Sequence, residues 1–349
     1  MRKMQKNDFW KNRRVLITGH NGFVGTWLSM VLQYMGAVVN GISLDVEKDS
    51  LYDRIQNHIK VNSNVIDIRE KNNIIEAVNN FRPEVVFHLA AFGFIQECFA
   101  DPETAFSTNT VGTYNVLNVI AGCDSVESII VASSDKVYKN EGRHSLFSEE
   151  YELGGMDPYS ASKTCEDIIA KSYYESYLKD NDVGMCIVRP SNILGGGDHH
   201  ENRLIPNIFH SFDDGNEPII RNPQAVRPWQ DILDMCDAYL FLAERAYHER
   251  NLDIVNVGPE AEGVCTVGEI ASKVGQLFGK TVSYHSDDEN TFSEQMWLGL
   301  SIQKIKDLGW SPKMTIDDTL KNVFQCYKCI NDYELFDVCM GQIKEYYSE

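Results

Sequence analysis

The sequence predicts an α/β fold in which a doubly wound parallel sheet is joined to a smaller mixed α/β C-terminal lobe. Short apolar segments alternate with segments of helical period up to about residue 190, and a glycine-rich turn joins the first such pair. This alternation is typical of Rossmann-type sheets with helices on both faces. We expect residues 1–190 to form the sheet domain and residues 191–349 to form mainly a substrate-binding lobe and C-terminal helices. A strand near 254–257 is expected to return to the first sheet.

The first strand and the turn after it are the strongest local signal. A β-branched and leucine run at 15–17 suits a strand buried on both faces. Gly19, Gly22 and Gly25 follow, and the segment 27–34 continues at helical period. Glycine here lets the backbone approach a pyrophosphate, whose charge is met by free N–H groups at the helix N-terminus. An ordinary tight βα turn can carry the same glycine triplet. It is the position of the triplet between a strand and a helix that supports a dinucleotide site.

The end of the second predicted strand bears on the choice of cofactor. This strand covers 37–42 and ends near Ser43 and Asp45. An acidic side chain there accepts a hydrogen bond from the adenine ribose 2′-hydroxyl and repels a 2′-phosphate, so Asp45 favours NAD over NADP. In the alternative, Ser43 points inward and Asp45 is a solvated loop charge. No arginine occupies this turn, which also favours NAD.

The later elements continue the alternation. Strands are predicted over 65–68, 85–89, 128–132 and 185–188, and helices over 70–81, 102–121, 157–178 and 233–247. The strand 128–132 ends in the polar residues Ser134, Asp135 and Lys136. Open α/β sheets place their chemistry at the carboxyl ends of central strands, so this cluster is a candidate active site.

Composition and charge restrict the partners. The 349 residues carry a net charge of -19, which disfavours nucleic acid and anionic membranes as partners. No segment approaches the roughly 20 apolar residues of a membrane span, and the N-terminal residues lack the apolar core of a signal peptide, so a cytoplasmic location is expected. The nine cysteines suggest reduced thiols. Cys326 and Cys329 form one CxxC pair, and Asp198 precedes two histidines, but neither pattern has further ligands at a recognisable spacing, so no metal is predicted.

Tyr159 and Lys163 form a YxxxK pair near the start of the predicted helix 157–178. Residues four apart share one helical face. A lysine ammonium and an oxidised nicotinamide both stabilise a phenolate, so the tyrosine can act as a base near neutral pH. An ordinary surface pair has the same spacing, but this pair follows the glycine turn and the Ser–Asp–Lys strand end along the chain.

Together these motifs resemble those of the extended short-chain dehydrogenase/reductase family of NAD-dependent epimerases and dehydratases, which act on nucleotide sugars. The resemblance runs from about residue 9 to about residue 312 and rests on TGHNGFVG at 18–25, HLAA at 88–91, TNTVGT at 108–113, YSASK at 159–163, RPSNILGGGD at 189–198, RLIP at 203–206 and NVGP at 256–259. Within the family the chain is most similar to the CDP-glucose 4,6-dehydratases, through SSDKVY at 133–138, LGGMDPYSASK at 153–163 and IRNPQAVRPWQ at 220–230.

The resemblance implies a reaction and a role for each residue of the cluster. A hydride would leave sugar C4 for NAD, water would be lost across C5 and C6, and the hydride would return to C6. Tyr159, supported by Lys163, would be the base on the 4-hydroxyl, and Ser134 would hydrogen-bond the C4 oxygen. Asp135 would be the acid and Lys136 the base of the elimination; the alternative for these two is an inert salt bridge. The runner-up functions are an epimerase, or a dehydratase acting on a GDP-, dTDP- or UDP-sugar. A third reading, a non-catalytic NAD- or nucleotide-sugar-binding protein on the same fold, stays open.

The resemblance also implies binding residues and an assembly. Cofactor contacts are expected from Gly19, Gly22, Phe23, Gly25, Ser43, Asp45, Asp67, Ile68, Leu89, Ala90, Ala91, Asn109, Tyr159 and Lys163. Contacts to the nucleotide sugar are expected from Asn192, Arg203, Leu204 and Arg227, since guanidinium groups suit a diphosphate. A homodimer is expected through the helices 102–121 and 157–178.

Four departures from the family pattern bear on the nucleotide base and the sugar. The run at 92–96 reads Phe-Gly-Phe-Ile-Gln, which lacks an expected cation and adds aromatic bulk. Val24 replaces an expected lysine, Asp231 an expected histidine, and Gly299 an expected aspartate.

Overall fold

The computed structural model describes residues 7–142, 144–220, 222–282, 295–329 and 331–348. Residues 1–6 of the predicted sheet domain and Arg221 of the segment 220–230 lie outside this part of the chain. The strands are β1 Arg14–Thr18, β2 Val38–Ser43, β3 Val61–Val65, β4 Val85–His88, β5 Ser128–Ala132, β6 Gly184–Pro190, β7 Asn192–Leu194, β8 Val226–Asp231, β9 Leu252–Val257 and β10 Val264–Thr266. The helices are α1 Asn7–Trp10, α2 Phe23–Tyr34, α3 Leu51–Ile55, α4 Lys71–Phe81, α5 Ile95–Ala100, α6 Pro102–Phe106, α7 Thr113–Ala121, α8 Pro158–Tyr173, α9 Leu204–Asp213, α10 Ile232–Glu249, α11 Val267–Leu277, α12 Gln303–Asp307, α13 Ile316–Tyr327 and α14 Asp332–Ser348.

Seven strands form the main sheet in the order β3-β2-β1-β4-β5-β6-β9, and all their pairings are parallel. The predicted fold class is confirmed. The central strands read as continuous apolar runs because helices cover both faces. On one face α2 and α10 bury Trp27 and Tyr239 against the sheet, and on the other α4, α7 and α8 bury Ile74, Val116 and Ala170.

The predicted third strand is wrong in its position. It was expected at 65–68, but β3 is Val61–Val65. This strand is the sheet edge, where an amide ladder takes the place of an apolar face: Asn62 and Asn64 donate to the Asn40 Oδ1 atom of β2 at 2.6 and 3.0 Å. The apolar residues that suggested a strand lie beyond it, and Ile68 is buried in the core under α7.

The predicted helices 102–121 and 157–178 are each continuous helical segments with one wide turn. Residues Ser107–Gly112 form a π-helical turn between α6 and α7, and Tyr174–Leu178 form another after α8. Such turns often occur at functional sites. The first of them contains Asn109, whose contacts are described below.

The C-terminal part of the chain forms a mixed sheet and several helices. β7 pairs with β8 in parallel and β8 with β10 antiparallel. The Asp234 carboxylate of α10 accepts from the Lys313 and Met314 amides and from the Tyr346 hydroxyl of α14, so buried hydrogen bonds tie the last helix to the sheet domain. Among the described residues, no helix is long and apolar enough to cross a membrane.

Candidate active site

The glycine turn between β1 and α2 has the shape that an anion site requires. Gly19 has φ +78°, and a Cβ there would lie 2.8 Å from the Ala90 nitrogen. A Cβ on Gly25 would collide with the Gly19 carbonyl oxygen. Gly22 is the N-cap of α2 and provides no side-chain cap, so the N–H groups of the first turn remain available to an external acceptor. This arrangement fits a dinucleotide pyrophosphate.

His88, at the end of β4, holds the neighbouring strand ends together. Its Nδ1 lies 2.7 Å from the Thr18 hydroxyl and its Nε2 2.8 Å from the Thr113 hydroxyl. Because the Thr18 oxygen already accepts from the Leu89 and Ala90 amides, it donates to Nδ1, and Nε2–H donates to Thr113. Burial lowers the pKa of His88 to about 3, so the ring is neutral. The histidine thus fixes the backbone that faces the glycine turn.

The other predicted cofactor residues lie along the carboxyl ends of β2, β3 and β4. Ser43 is buried and Asp45 is exposed. Three hydrogen bonds from the Arg69 side chain hold the pKa of Asp67 below its ordinary value. Asn109 is fully buried; its oxygen accepts from the Phe92 amide, and its NH₂ donates to the Phe92 carbonyl and to the Ser162 hydroxyl. Asn109 therefore joins the loop after β4 to α8.

The predicted catalytic residues meet at the end of β5. The Ser134 hydroxyl accepts from the Tyr159 hydroxyl at 3.3 Å and donates to Asp135 Oδ1 at 3.2 Å. Lys136 Nζ lies 3.2 Å from the same carboxylate oxygen. The other oxygen, Oδ2, is buried and has no hydrogen-bond partner in the described structure. Buried polar atoms normally have a hydrogen-bond partner, so Oδ2 is available to a ligand.

Local sequence explains how α8 presents Tyr159. Asp157 is the N-cap and accepts from the Ser160 amide at 2.9 Å, and Pro158 occupies the first helical position. Further along the helix, Asp167 forms a buried ion pair with Arg189 of β6 at 2.8 Å. The helix is therefore fixed both at its start and against the sheet.

The Tyr159 hydroxyl experiences opposing electrostatic effects. Burial raises its pKa well above the ordinary value, and the negative charges of Asp135 and Glu166 raise it further. The hydrogen bond with Ser134 and the charge of Arg203 lower it. A base in this position needs additional positive charge to ionise near neutral pH.

Lys163 has a partner that sequence reasoning missed. Its ammonium group donates to the Ala132 carbonyl at 2.7 Å and to Glu166 Oε2 at 2.5 Å. Burial raises the pKa of Glu166 to about 7. The available signal was a glutamate three residues after the lysine, a spacing that places both side chains on one helical face.

A cleft of about 1350 Å³ opens beside this cluster, between the carboxyl ends of β5 and β6 and the lobe that carries α9 and β8. The predicted catalytic and substrate residues in its lining are Ser134, Asp135, Lys136, Tyr159, Asn192, Arg203, Leu204 and Arg227. Lys163 and the residues of the glycine turn lie outside this lining, and Val24 of α2 extends it toward them. Asn192 Oδ1 is buried and has no partner among the described residues, so it is available to a ligand.

Aromatic stacking links the two sides of the cleft. The Phe94 ring stacks on His200 with ring centroids 3.5 Å apart, and His200 Nε2 lies 2.9 Å from Glu97 Oε1. The Arg203 guanidinium lies 5.4 Å from the Phe94 centroid and 3.6 Å from Asp198. The aromatic replacement at 92–96 thus contacts a predicted substrate residue directly. Sequence reasoning did not pair Phe94 with His200, since 105 residues separate them.

Two other departures, at Asp231 and Gly299, have structural explanations. Asp231 is the buried N-cap of α10, where it accepts from the Leu233 amide at 2.7 Å. A Cβ on Gly299 would lie 2.6 Å from the Trp297 ring, so glycine leaves room for that indole. All nine cysteines are free thiols, and the described residues include no group of three or more potential ligands arranged to hold a metal ion.

Comparison with known proteins places these features in context. The model of the NAD dependent epimerase/dehydratase family matches residues 15–258. The chain is 34% identical to the CDP-glucose 4,6-dehydratase of Salmonella typhimurium over 99% of both chains. It is similar in structure to the dTDP-glucose 4,6-dehydratase of Bacillus anthracis in complex with NAD, with a TM-score of 0.75 and 23% identity over 90% of this chain and 97% of that one. The UDP-glucose 4-epimerase of Thermotoga maritima gives a TM-score of 0.77 and 20% identity over 90% and 98% of the two chains.

Proposed function

Because the chain belongs to the NAD dependent epimerase/dehydratase family, we propose that it is a nucleotide-sugar 4,6-dehydratase whose substrate is CDP-glucose. The observation that carries this proposal is the pairing of Asp135 with Lys136 beside Tyr159. An epimerase needs a base on the 4-hydroxyl, whereas a dehydratase also needs an acid and a base for water loss. The full-length similarity to a CDP-glucose 4,6-dehydratase supports the choice of nucleotide.

The residues present fit NAD. Gly19, Gly22 and Gly25 leave room for its pyrophosphate, whose charge the uncapped N-terminus of α2 would meet. When bound, NAD would accept a hydride from sugar C4 and return it to C6. Tyr159 takes the proton of the 4-hydroxyl, and Ser134, already hydrogen-bonded to Tyr159, orients the C4 oxygen.

Asp135 and Lys136 carry out the elimination. Once C4 is a ketone, the C5 proton passes to the neutral Lys136 amine, the C5–H electron pair forms the C5=C6 bond, and the C6–O bond breaks. Asp135 protonates the departing oxygen, which leaves as water. A single proton transfer across the 3.2 Å Lys136–Asp135 contact converts the ion pair into the neutral acid and base that this step needs.

The side of the cleft that binds the substrate is formed by residues 191–349, apart from strand β9. Asn192 offers an unpartnered oxygen, and Arg203 lies at the start of α9. Arg227 is buried in the cleft wall. A guanidinium group at either position suits the diphosphate of a nucleotide sugar. The Phe94–His200 contact narrows the cleft beside Arg203 and is expected to contribute to the choice of sugar.

The proposed assembly is a homodimer formed by the two long helical segments. These segments pack together, since the Asn118 side chain donates to the Tyr173 hydroxyl at 3.1 Å. Apolar side chains on them are exposed: Phe106 40%, Val111 49%, Tyr114 42%, Ile168 57% and Tyr177 56%. Exposed apolar side chains on two packed helical segments support an interface between two copies. The free thiols support a cytoplasmic location, since that compartment is reducing.

The proposal is tested by incubating the enzyme separately with CDP-, dTDP-, GDP- and UDP-glucose in heavy water and analysing the products by mass spectrometry. We expect CDP-glucose to lose water and to gain solvent deuterium at C5. Deuterium exchange or a stereochemical change without water loss would favour the epimerase instead. Dehydration of another nucleotide sugar would show that the CDP assignment is wrong.

A further inference from the structure

A buried carboxylate controls the position of the active-site lysine. Lys163 and Glu166 are 3% and 1% exposed, and their charged atoms lie 2.5 Å apart. The second lysine contact, to the Ala132 carbonyl at 2.7 Å, directs the ammonium group toward the end of β5. Two of its three donor hydrogens are therefore committed to these acceptors.

The neighbouring acids do not share this role. Asp167 is engaged by the Arg189 guanidinium and by the Ser133 hydroxyl. The second oxygen of Glu166, Oε1, is buried and has no partner in the described structure. Lys163 is thus the group that satisfies Glu166, and Glu166 is the carboxylate that neutralises Lys163.

We propose that Glu166 is a positioning residue that holds the Lys163 ammonium group and thereby sets how strongly the lysine charge stabilises the Tyr159 phenolate. The titratable groups that face the pair come from two further elements, with His88 on β4 and Tyr239 on α10, and from α8 itself, with Tyr159 and Asp167. His88 is neutral, so the balance of charge around Tyr159 rests on the two lysine–carboxylate pairs and Arg203. The negative charge of Glu166 raises the pKa of Tyr159, which opposes the effect of the lysine.

The inference rests on the role of Tyr159 in the proposed function, but its test needs no nucleotide sugar. Tyrosinate absorbance is titrated in the full chain with oxidised NAD bound, as the difference between each protein and its Tyr159→Phe counterpart. Glu166→Gln keeps the side-chain shape and removes the charge. We expect its Tyr159 titration to move to lower pH by about one unit or more. A failed dehydratase assay therefore leaves this result unaffected.

A double-mutant cycle separates action through the lysine from direct action on the tyrosine. In a Lys163→Met background the same Glu166→Gln change removes only the direct effect of the Glu166 charge on Tyr159, so the shift is expected to be smaller than in the wild-type background. An equal shift in that background would overturn the proposal, as would coincident titrations of wild type and Glu166→Gln. Glu175→Gln is the matched control, since Glu175 pairs with Lys179 on the exposed continuation of the same helix and should not shift Tyr159.

If Glu166→Gln does not fold, Glu166→Asp is titrated in its place. It keeps the charge of the buried pair but shortens its reach by one methylene, so the ammonium group is less firmly held. Because the charge is kept and the lysine stabilises the phenolate less, we expect the Tyr159 titration to move to higher pH than in wild type, and an identical titration would overturn the proposal.

Discussion

Replacing Asp135 by asparagine should separate the two halves of the reaction. The amide carbonyl can still accept hydrogen bonds from Ser134 and Lys136, so both 3.2 Å contacts of the carboxylate can be kept. An amide cannot protonate the departing 6-hydroxyl, and losing a general acid lowers the rate by about 10²- to 10⁴-fold. Oxidation at C4 depends on Tyr159 and should remain within a few-fold of wild type. The variant should therefore accumulate reduced nicotinamide and a 4-keto sugar that still carries its 6-hydroxyl.

Stopped-flow absorbance of the reduced nicotinamide measures the oxidation half-reaction, and mass spectrometry of the quenched sugar measures water loss. Glu201→Gln is a suitable control, because Glu201 is an exposed acid in the cleft lining and has no proposed role in the elimination. Turnover of Asp135→Asn near the wild-type rate would refute the assignment of the acid. Equal loss of both half-reactions would show that Asp135 acts on the oxidation step instead.

Three further predictions follow from the packing. Gly22→Ala should keep the melting temperature, since its Cβ meets no atom closer than 3.4 Å within the protein, but it should lower NAD affinity by roughly tenfold. Gly25→Ala should lower both the affinity and the melting temperature. Calorimetric titration and thermal melts distinguish the two variants. Ile168→Lys should give a monomer by light scattering at micromolar concentration, while Tyr333→Lys, exposed on α14, should not; a dimer in both would refute the interface. Burial raises the pKa of Asp231 to about 7. Its contribution to stability is therefore complete below about pH 4 and is lost as pH rises through about 7, by up to about 4 kcal/mol. The free energy of unfolding in urea should depend less on pH in Asp231→Asn across that range, and an unchanged pH dependence would contradict the shift.

Most of the sheet and of the candidate catalytic cluster could be predicted from the sequence, because both follow from local residue patterns. Apolar runs bounded by turns located β1 and β5, and the YxxxK spacing located Tyr159 on a helix start. β3 was misplaced because an edge strand that contains Asn62 and Asn64 has no apolar signal, and these side chains form an amide ladder with the neighbouring strand. Such a ladder is a tertiary contact, which local pattern cannot report.

The residues that sequence reasoning missed depend on contacts between distant or newly oriented side chains. Phe94 meets His200 only because the loops after β4 and β7 open onto the same cleft. Glu166 was visible as a charge on α8, but its burial follows from the packing of that helix against the sheet and α10. In both cases the residue type was evident and its partner was not.

Tyr159 lies between two carboxylates, and each has its own lysine. Asp135 pairs with Lys136 on one side, and Glu166 pairs with Lys163 on the other. Burial and the negative charges of Asp135 and Glu166 keep the pKa of Tyr159 high. The balance can then be tipped by one added positive charge, which an oxidised nicotinamide carries and a reduced one lacks. We therefore expect Tyr159 to ionise at lower pH with the oxidised cofactor than with the reduced one, so that proton removal from the 4-hydroxyl is favoured only when C4 can be oxidised.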